Sequence, residues 1–342
     1  MPTRILIVFT TVYNWFMLAV DSSILSMPIT IGGVILPGRL LLAPMDGYTD
    51  SPFRMMCKEH GAALCTSEFI NGIDVMYGHP HLKNQLFFQE TERPFSYQIF
   101  DDDPQRFINA GSRLSERKPD LLDINMGCSA RSVSNRGAGA GLLRDPDKIQ
   151  RIASSLVQKL SVPVTAKIRL GWDDHSRNYL EVAKILEDCG ISAITVHART
   201  RKQGYQGMAD WDAISEIKTH ASIPIIGNGD VHNVEDALKL INHSSCDAVM
   251  IGRASLGNPW VFEGKTHATI SNGELFEGIN QHLQRMVELY SPRIGTILFR
   301  KHLAKYLSEH LSTSEIKQKI FSIEDPQELI YEVKIILKIT EV

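Results

Sequence analysis

An α/β chain, with a closed (βα)8 barrel followed by a smaller all-helical domain, is the architecture this sequence predicts. Two observations carry it. Eight short β-branched or apolar runs recur between residues 40 and 253, separated by longer stretches of helical periodicity, and eight is the number of strands at which a parallel TIM barrel closes. Beyond Phe262 the strand-like runs stop and only helical periodicity remains. At 342 residues, with 43% hydrophobic and 22% charged, the chain has the length and apolar content for such a barrel and an appendage.

The runs, in order, are LLLAP (40–44), ALCTSE (63–68), FSYQIF (95–100), LLDINMG (121–127), VTAKIR (164–169), AITVHAR (193–199), PIIGNGD (224–230) and AVMIGR (248–253). Between them lie SPFRMMCKEHG, DPQRFINAGSRLSER, PDKIQRIASSLVQKL, YLEVAKILEDCG, ADWDAISEIKTH and NVEDALKLINHS. Several open on Asp or Ser, which cap free N–H groups, and close on Gly or His, which suit a helix end. A doubly wound open sheet is the competing architecture, and no G-x-G-x-x-G follows the first run to support it. Ahead of the first run, MPITIGGVILPGR predicts a short strand pair. In the tail, LFEGINQHLQRMVELY, ILFRKHLAKYLSEHL and PQELIYEVKIILKI predict helices. The domains are therefore expected at 27–262 and 263–342, preceded by an extension over 1–26. Within that extension ILIVFTTVYNWFMLAV (5–20) has the length of a signal-peptide core and is short for a membrane span. Asn14 interrupts it and no small-x-small site follows, so we read residues 1–26 as upstream sequence ahead of a start at Met27.

The 36 Lys and Arg against 39 Asp and Glu leave a net charge of -3. No bulk positive field attracts a polyanion, so any nucleic-acid contact must be a local patch. Five cysteines without a C-x-x-C pair fit neither a disulfide framework nor a zinc site, so a reduced, cytoplasmic chain without a metal is expected.

Barrel chemistry is built at the C-terminal ends of the strands. Here the runs end in Pro44-Met45-Asp46-Gly47, Glu68, Gln98, Asn125 with Cys128, Lys167 with Arg169, His197 with Arg199, Asn228-Gly229-Asp230 and Gly252-Arg253. Such a ring suits a ligand with many hydrogen-bonding atoms and an anionic end. Amides can meet a heterocycle edge, Lys167 a developing negative charge, and the N–H groups of Gly229 and Gly252 with Arg253 a phosphate. Flavin mononucleotide (FMN) has that form. Taken singly each residue has an ordinary alternative: Lys167 snorkelling at the rim, His197 hydrogen-bonded in the core, Gln98 capping a loop, Gly252-Arg253 a plain turn. Cys57, Cys65, Cys189 and Cys246 read as small buried apolar residues. Cys128 instead lies in an accessible loop, GCSARSVSNRGAGAGLL. In the tail Arg293, Arg300, Lys301, His302 and Lys305 cluster, with Lys301 and Lys305 one helical turn apart. A solvated face and a phosphate-contacting strip are the two readings.

The stretch Asp123-Ile124-Asn125-Met126-Gly127-Cys128, followed by Gly137-Ala138 and Leu142-Leu143, closely resembles the signature of the tRNA-dihydrouridine synthases. Also family-like are APMDGYTDSPFR (43–54), TSEFI (66–70), AKIRLGWDD (166–174), HARTRKQGYQGMADW (197–211), GNGDV (227–231) and IGRASLGNPWVF (251–262). The tail RIGTILFRKHLAKYL resembles the family's helical domain. The similarity spans Met27 to Tyr306, best with the bacterial B-type branch, with Ser129 standing where most members have proline.

The resemblance implies FMN in the barrel, NADPH as reductant, and reduction of the C5–C6 double bond of a uridine in tRNA. Carried over by motif, Pro44, Met45 and Asp46 meet the flavin, Gln98 and Lys167 contact its isoalloxazine, and His197, Asn228, Gly229, Asp230, Gly252 and Arg253 hold the phosphate end. Cys128 is the proton donor. Hydride transfer from flavin N5 to uracil C6 leaves an enolate-like charge, and C5 then takes a proton from an acid. A thiol of pKa near about 8.5 is mostly protonated at neutral pH. Asn125 is the candidate for the uracil edge. Arg199, Arg201, Lys202 and Tyr205, with Arg300, Lys301 and Lys305, are the candidate RNA contacts. The expected partner is tRNA, with no DNA, no membrane, and a monomeric enzyme. Two other classes compete: a free-pyrimidine flavoenzyme resembling dihydroorotate or dihydropyrimidine dehydrogenases, and a non-catalytic RNA-binding module on a retained barrel. The helical tail favours a polymeric substrate over a free base, and the intact Cys128, Lys167 and Gly252-Arg253 set disfavours the module.

Overall fold

The structure, a computed structural model, describes residues 22–311 and 313–339. Strands β1 (Ile29–Ile31) and β2 (Val34–Leu36) form the expected antiparallel pair. Their turn is Gly32-Gly33, with φ of 56° and 90°, a left-handed region that glycine enters without a Cβ penalty. Ile31 and Leu36 cluster with Leu64, Leu121, Ala193 and Ala248 at the strand starts, so the pair plugs the N-terminal end of the barrel.

The barrel strands are β3 (Leu40–Leu42), β4 (Leu64–Asn71), β5 (Phe95–Phe100), β6 (Leu121–Met126), β7 (Val164–Arg169), β8 (Ile194–His197), β9 (Ile225–Asn228) and β10 (Ala248–Ile251). Each pairs in parallel with its sequence neighbour, and β10 closes on β3. Strands β5, β6 and β7 are buried at every position, which is why their runs read as continuous rather than alternating. A register shift between Thr66 and Phe69 carries β4 past the expected end at Glu68.

The barrel's helices are α1 (Ser51–Glu59), α2 (Gly72–Tyr77), α3 (Leu82–Gln85), α4 (Pro104–Ser115), α5 (Arg131–Ser134), α6 (Pro146–Lys159), α7 (Tyr179–Asp188), α8 (Trp211–His220) and α9 (Val234–Ser244). Asp50, Asp103, Asp145, Asp210 and Asn233 accept backbone N–H groups at the starts of α1, α4, α6, α8 and α9. Such caps satisfy donors that the first turn leaves without partners. The unanticipated α2, α3 and α5 span 6, 4 and 4 residues, too short to show a period.

Helices α10 (Asn272–Tyr290), α11 (Pro292–Tyr306), α12 (Ser314–Ser322) and α13 (Pro326–Leu337) form the C-terminal domain. Their own core gathers Trp260, Ile279, Leu283, Phe299, Leu303 and Val333. The seam with the barrel is tight. Arg285 of α10 pairs with Glu59 of α1 at 2.5 Å, and Gly257 lies so close to α11 that a Cβ there would sit 2.4 Å from the Lys305 carbonyl carbon. Upstream, residues 22–26 form a 3-10 turn whose Leu25 packs into the barrel core. Packed chain therefore begins before Met27, while the apolar run 5–20 lies outside the described residues. Among the described residues no helix is long and apolar enough to cross a membrane.

Candidate active site

The loops that follow the strands enclose one cleft at the C-terminal end of the barrel. Its two lobes share Pro44, Met45, Lys167, His197, Tyr205 and Arg253. One lobe is walled by Gly229, Asp230 and Gly252. The other, of about 460 Å³, is walled by Gln98, Asn125, Cys128 and Arg169.

A chain of hydrogen bonds runs from the barrel interior to the Cys128 loop. Thr165 donates to one oxygen of buried Asp123 at 2.6 Å, and Gln98 Nε2 donates to the other at 2.7 Å. Asn125 Nδ2 donates to Gln98 Oε1 at 2.7 Å. Asn125 Oδ1 in turn accepts the N–H groups of Gly127 and Cys128 at 3.0 and 2.8 Å. Each buried polar group has a partner, so the network fixes the loop. The Cys128 thiol is half-buried beside Phe69 and Phe100. That burial pushes its pKa up, the Asp46 carboxylate adds to the rise, and the Ala130 N–H and Arg169 oppose it. At neutral pH the group is a protonated thiol, an acid and not a nucleophile.

Opposite in character is the cation cluster. Lys167 Nζ donates to Asn228 Oδ1 at 3.0 Å, and Asn228 Nδ2 donates to the Met250 carbonyl at 2.7 Å. Burial, reinforced by Arg169, lowers the Lys167 ammonium to about 7. His197 is held neutral by burial and by the surrounding Arg169, Lys167, Arg199 and Arg253. Arg169 spans two loops, donating to the carbonyls of Gly127 at 2.7 Å, Thr200 at 3.0 Å and Gly204 at 2.9 Å. Arg253 lies over the exposed Tyr205 ring, 4.3 Å from its centroid. Lys167, Arg169 and Arg253 around one cleft make it a receptor for an anion.

Residues 41–340 match the family model for dihydrouridine synthase (Dus). The chain belongs to the dihydrouridine synthase family. Among its curated relatives, the tRNA-dihydrouridine synthase B of Pasteurella multocida (strain Pm70) is 39% identical, with 87% of this chain and 92% of that protein covered. That of Pseudomonas aeruginosa is 37% identical, over 87% and 92% of the two chains. Among solved structures, morphinone reductase superposes with a TM-score of 0.55 at 12% identity, covering 70% of this chain and 89% of that one. Histamine dehydrogenase from Rhizobium sp. 4-9 gives 0.55 at 13% identity, covering 77% and 51%. These distant likenesses show the shared barrel fold.

In this family member the cleft brings together Pro44, Met45, Asp46, Gln98, Asn125, Cys128, Lys167, His197, Asn228, Gly229, Asp230, Gly252 and Arg253. Four expected roles need correction. Asn125 lines the cleft, but its amide is already engaged at both ends in holding the Cys128 loop. Arg199 is not a rim residue: it is 2% exposed and gives Nη2 to both oxygens of Asp230 at 2.7 Å. Asp230 correspondingly turns its carboxylate to Arg199 and the Ala209 N–H, leaving its backbone to the cleft. Arg300 does not face outward either, since it donates to the Ile323 carbonyl at 2.8 Å inside the helical domain.

The expected basic strip is thus divided. Lys305 is exposed, His302 is fully buried, Arg293 pairs with Glu324 at 2.6 Å, and Lys301 turns to the barrel, 5.6 Å from the Tyr48 ring centroid. Arg201 sits at the rim, donating to Ser134 Oγ at 2.9 Å and lying 4.5 Å from the Trp172 centroid. Arg144 approaches the same ring at 4.8 Å, a pairing the sequence reading missed. Asp123 was missed as a site residue as well. Its signal was a carboxylate inside a run buried on both faces, which demands partners. Cys189, expected in the core, is only partly buried.

Proposed function

We propose that this chain is an FMN-dependent, NADPH-driven reductase that converts a uridine in tRNA to dihydrouridine, working as a cytoplasmic monomer. One observation carries the reading: a protonated thiol and the cations Lys167, Arg169 and Arg253 face the same cleft. The relatives' printed name supplies the tRNA.

The residues fit a flavin mononucleotide. At the lobe suited to the phosphate, Gly229 has φ of 128°, and a Cβ there would lie 2.9 Å from that of Ala209. At Gly252 the added atom would meet Ala43 and Met45 at 3.5 and 3.8 Å. Both glycines share a wall with Arg253, where backbone N–H groups and a guanidinium suit a phosphate. Lys167 presents its ammonium toward the ring system, and Asn228, expected at the phosphate end, instead spends its amide on Lys167 and the Met250 carbonyl and so holds that ammonium in place. When bound, the reduced flavin supplies a hydride to C6 of the target uracil.

The protein then has two tasks. Lys167 and Arg169 stabilise negative charge that develops on the uracil carbonyl side, in a site where burial strengthens their fields. Cys128 Sγ–H gives its proton to C5 and is left as a thiolate, which Arg169 stabilises. Asn125 keeps the sulfur in place through the N–H groups of Gly127 and Cys128. Arg201, Arg144 and Tyr205 supply cationic and aromatic surface at the rim for an unstacked nucleotide.

The test is spectroscopic. Purified protein should release FMN on denaturation, identified by mass, and its bound flavin should bleach anaerobically with NADPH. A colourless protein that takes up no FMN would reject the flavin assignment.

A further inference from the structure

Behind the cleft wall, three residues distant in sequence meet at the seam between the domains. Asp50 caps α1 of the barrel, His282 lies on α10 and His302 on α11. All are buried, and one potential ligand atom from each lies within 4.8 Å of the others. We propose that Asp50, His282 and His302 form a site for a zinc-type divalent cation that fastens the helical domain to the barrel.

Three buried atoms point to it. Both ring nitrogens of His302 and Nε2 of His282 have no hydrogen-bond partner among the described residues. Orphaned buried nitrogens demand an ion or a water. The remaining ligand valences are already arranged. His282 Nδ1 meets the Tyr306 hydroxyl at 3.1 Å, leaving Nε2 as the free lone pair. Asp50 accepts the Phe53 N–H at 3.2 Å and the Tyr290 hydroxyl at 3.1 Å, which orients the carboxylate from two helices. Partners behind the ligands, setting tautomer and direction, are the usual support of a metal site.

The rings are also held by packing. His302 lies 5.3 Å from Tyr48 and 5.2 Å from Phe53, and the two imidazoles are 4.5 Å apart, centroid to centroid. Two neutral imidazoles and a carboxylate are a zinc donor set, with water in the fourth position. Asp50 supplies the charge a cation needs: it is buried and its hydrogen-bond donors, the Phe53 N–H and the Tyr290 hydroxyl, are neutral. Of the two cations that act on it, Arg54 is held by Glu92 at 2.6 Å, and Lys301 acts on Asp46 and Glu68 as well. No residue of the site lines the cleft, and its only approach to it among the described residues is the packing of His302 on Tyr48; metal content is read without flavin, so the two readings fail separately.

The experiment uses full-length, tag-free protein purified without chelator from zinc- or cobalt-supplemented medium. Elemental analysis should find roughly one metal ion per chain, and the cobalt form should show the visible d–d absorption of a tetrahedral nitrogen–oxygen site. His302→Gln should lose that ion while still folding, as read by far-UV circular dichroism. If this variant does not fold, the wild-type metal content and cobalt spectrum decide alone. Wild-type protein holding less than about a tenth of an equivalent, with no cobalt band, would overturn the proposal and leave the cluster to water.

Discussion

Cys128 and Lys167 face the same cleft, and burial pushes both toward their neutral forms, with opposite consequences. For the thiol the neutral form is the acid. Cys128→Ala should leave FMN content and its reduction by NADPH unchanged while slowing uridine reduction by about 10²-fold or more, the scale of a lost general acid. Single-turnover kinetics of the NADPH-reduced protein with tRNA would show it, and an undiminished rate would remove Cys128 from the role. For the lysine the neutral form is a weaker anion receptor. Lys167 sits at about 7, and a bound anion raises it. FMN binding above that pH therefore takes up a proton, and affinity should fall as pH rises, by up to about tenfold per pH unit. Titration of apoprotein by fluorescence quenching between pH 7 and 9 checks this. Lys167→Met should flatten the slope, and a variant that keeps it would place the proton elsewhere.

Elements explain why some of this was legible in the sequence and some was not. The eight strands were readable because parallel strands covered on both faces leave apolar runs, and the polar residue just past each run marks the cleft. Cys128, Lys167 and Gly252-Arg253 were found that way. Arg199 was misassigned because it falls two residues beyond the end of β8 at His197, where no strand alternation fixes its direction. Arg300 and His302 were misread for a different reason. Helix α11 buries one stripe, Gly295, Thr296, Phe299, His302, Leu303 and Tyr306, spaced as a single helical face; grouping the basic residues by nearness in sequence put His302 with Lys301 and Lys305, which lie off that stripe. The role of Asn125 in holding the next loop is likewise invisible without its partners. Asn125→Ala should release the N–H groups of Gly127 and Cys128, costing about 1–3 kcal/mol. It should also raise the alkylation rate of Cys128 by iodoacetamide, and an unchanged rate would show that the loop is held by Arg169 alone.

At the scale of the whole molecule, the barrel carries the chemistry and the helical domain overhangs the barrel's mouth, with Lys301 reaching Tyr48 beside Asp46. Their relative position rests on a seam without slack. Gly257 has φ of 72° and abuts the α11 backbone. Gly257→Val should therefore push the domains apart, destabilise the protein by about 1–3 kcal/mol or more, and raise KM for tRNA more than it lowers flavin content. Calorimetry and steady-state kinetics separate these effects. A net charge of -3 leaves RNA binding to the local cations at the rim, so KM for tRNA should rise steeply with added salt. The central claim is that this cleft reduces uridine within tRNA and not a free pyrimidine. It is tested most directly by incubating the protein with NADPH and unmodified tRNA, digesting the RNA, and measuring dihydrouridine by mass spectrometry beside free-uracil and dihydroorotate controls. Dihydrouridine in the tRNA digest alone is the expected result; turnover of a free base with none in tRNA would contradict it.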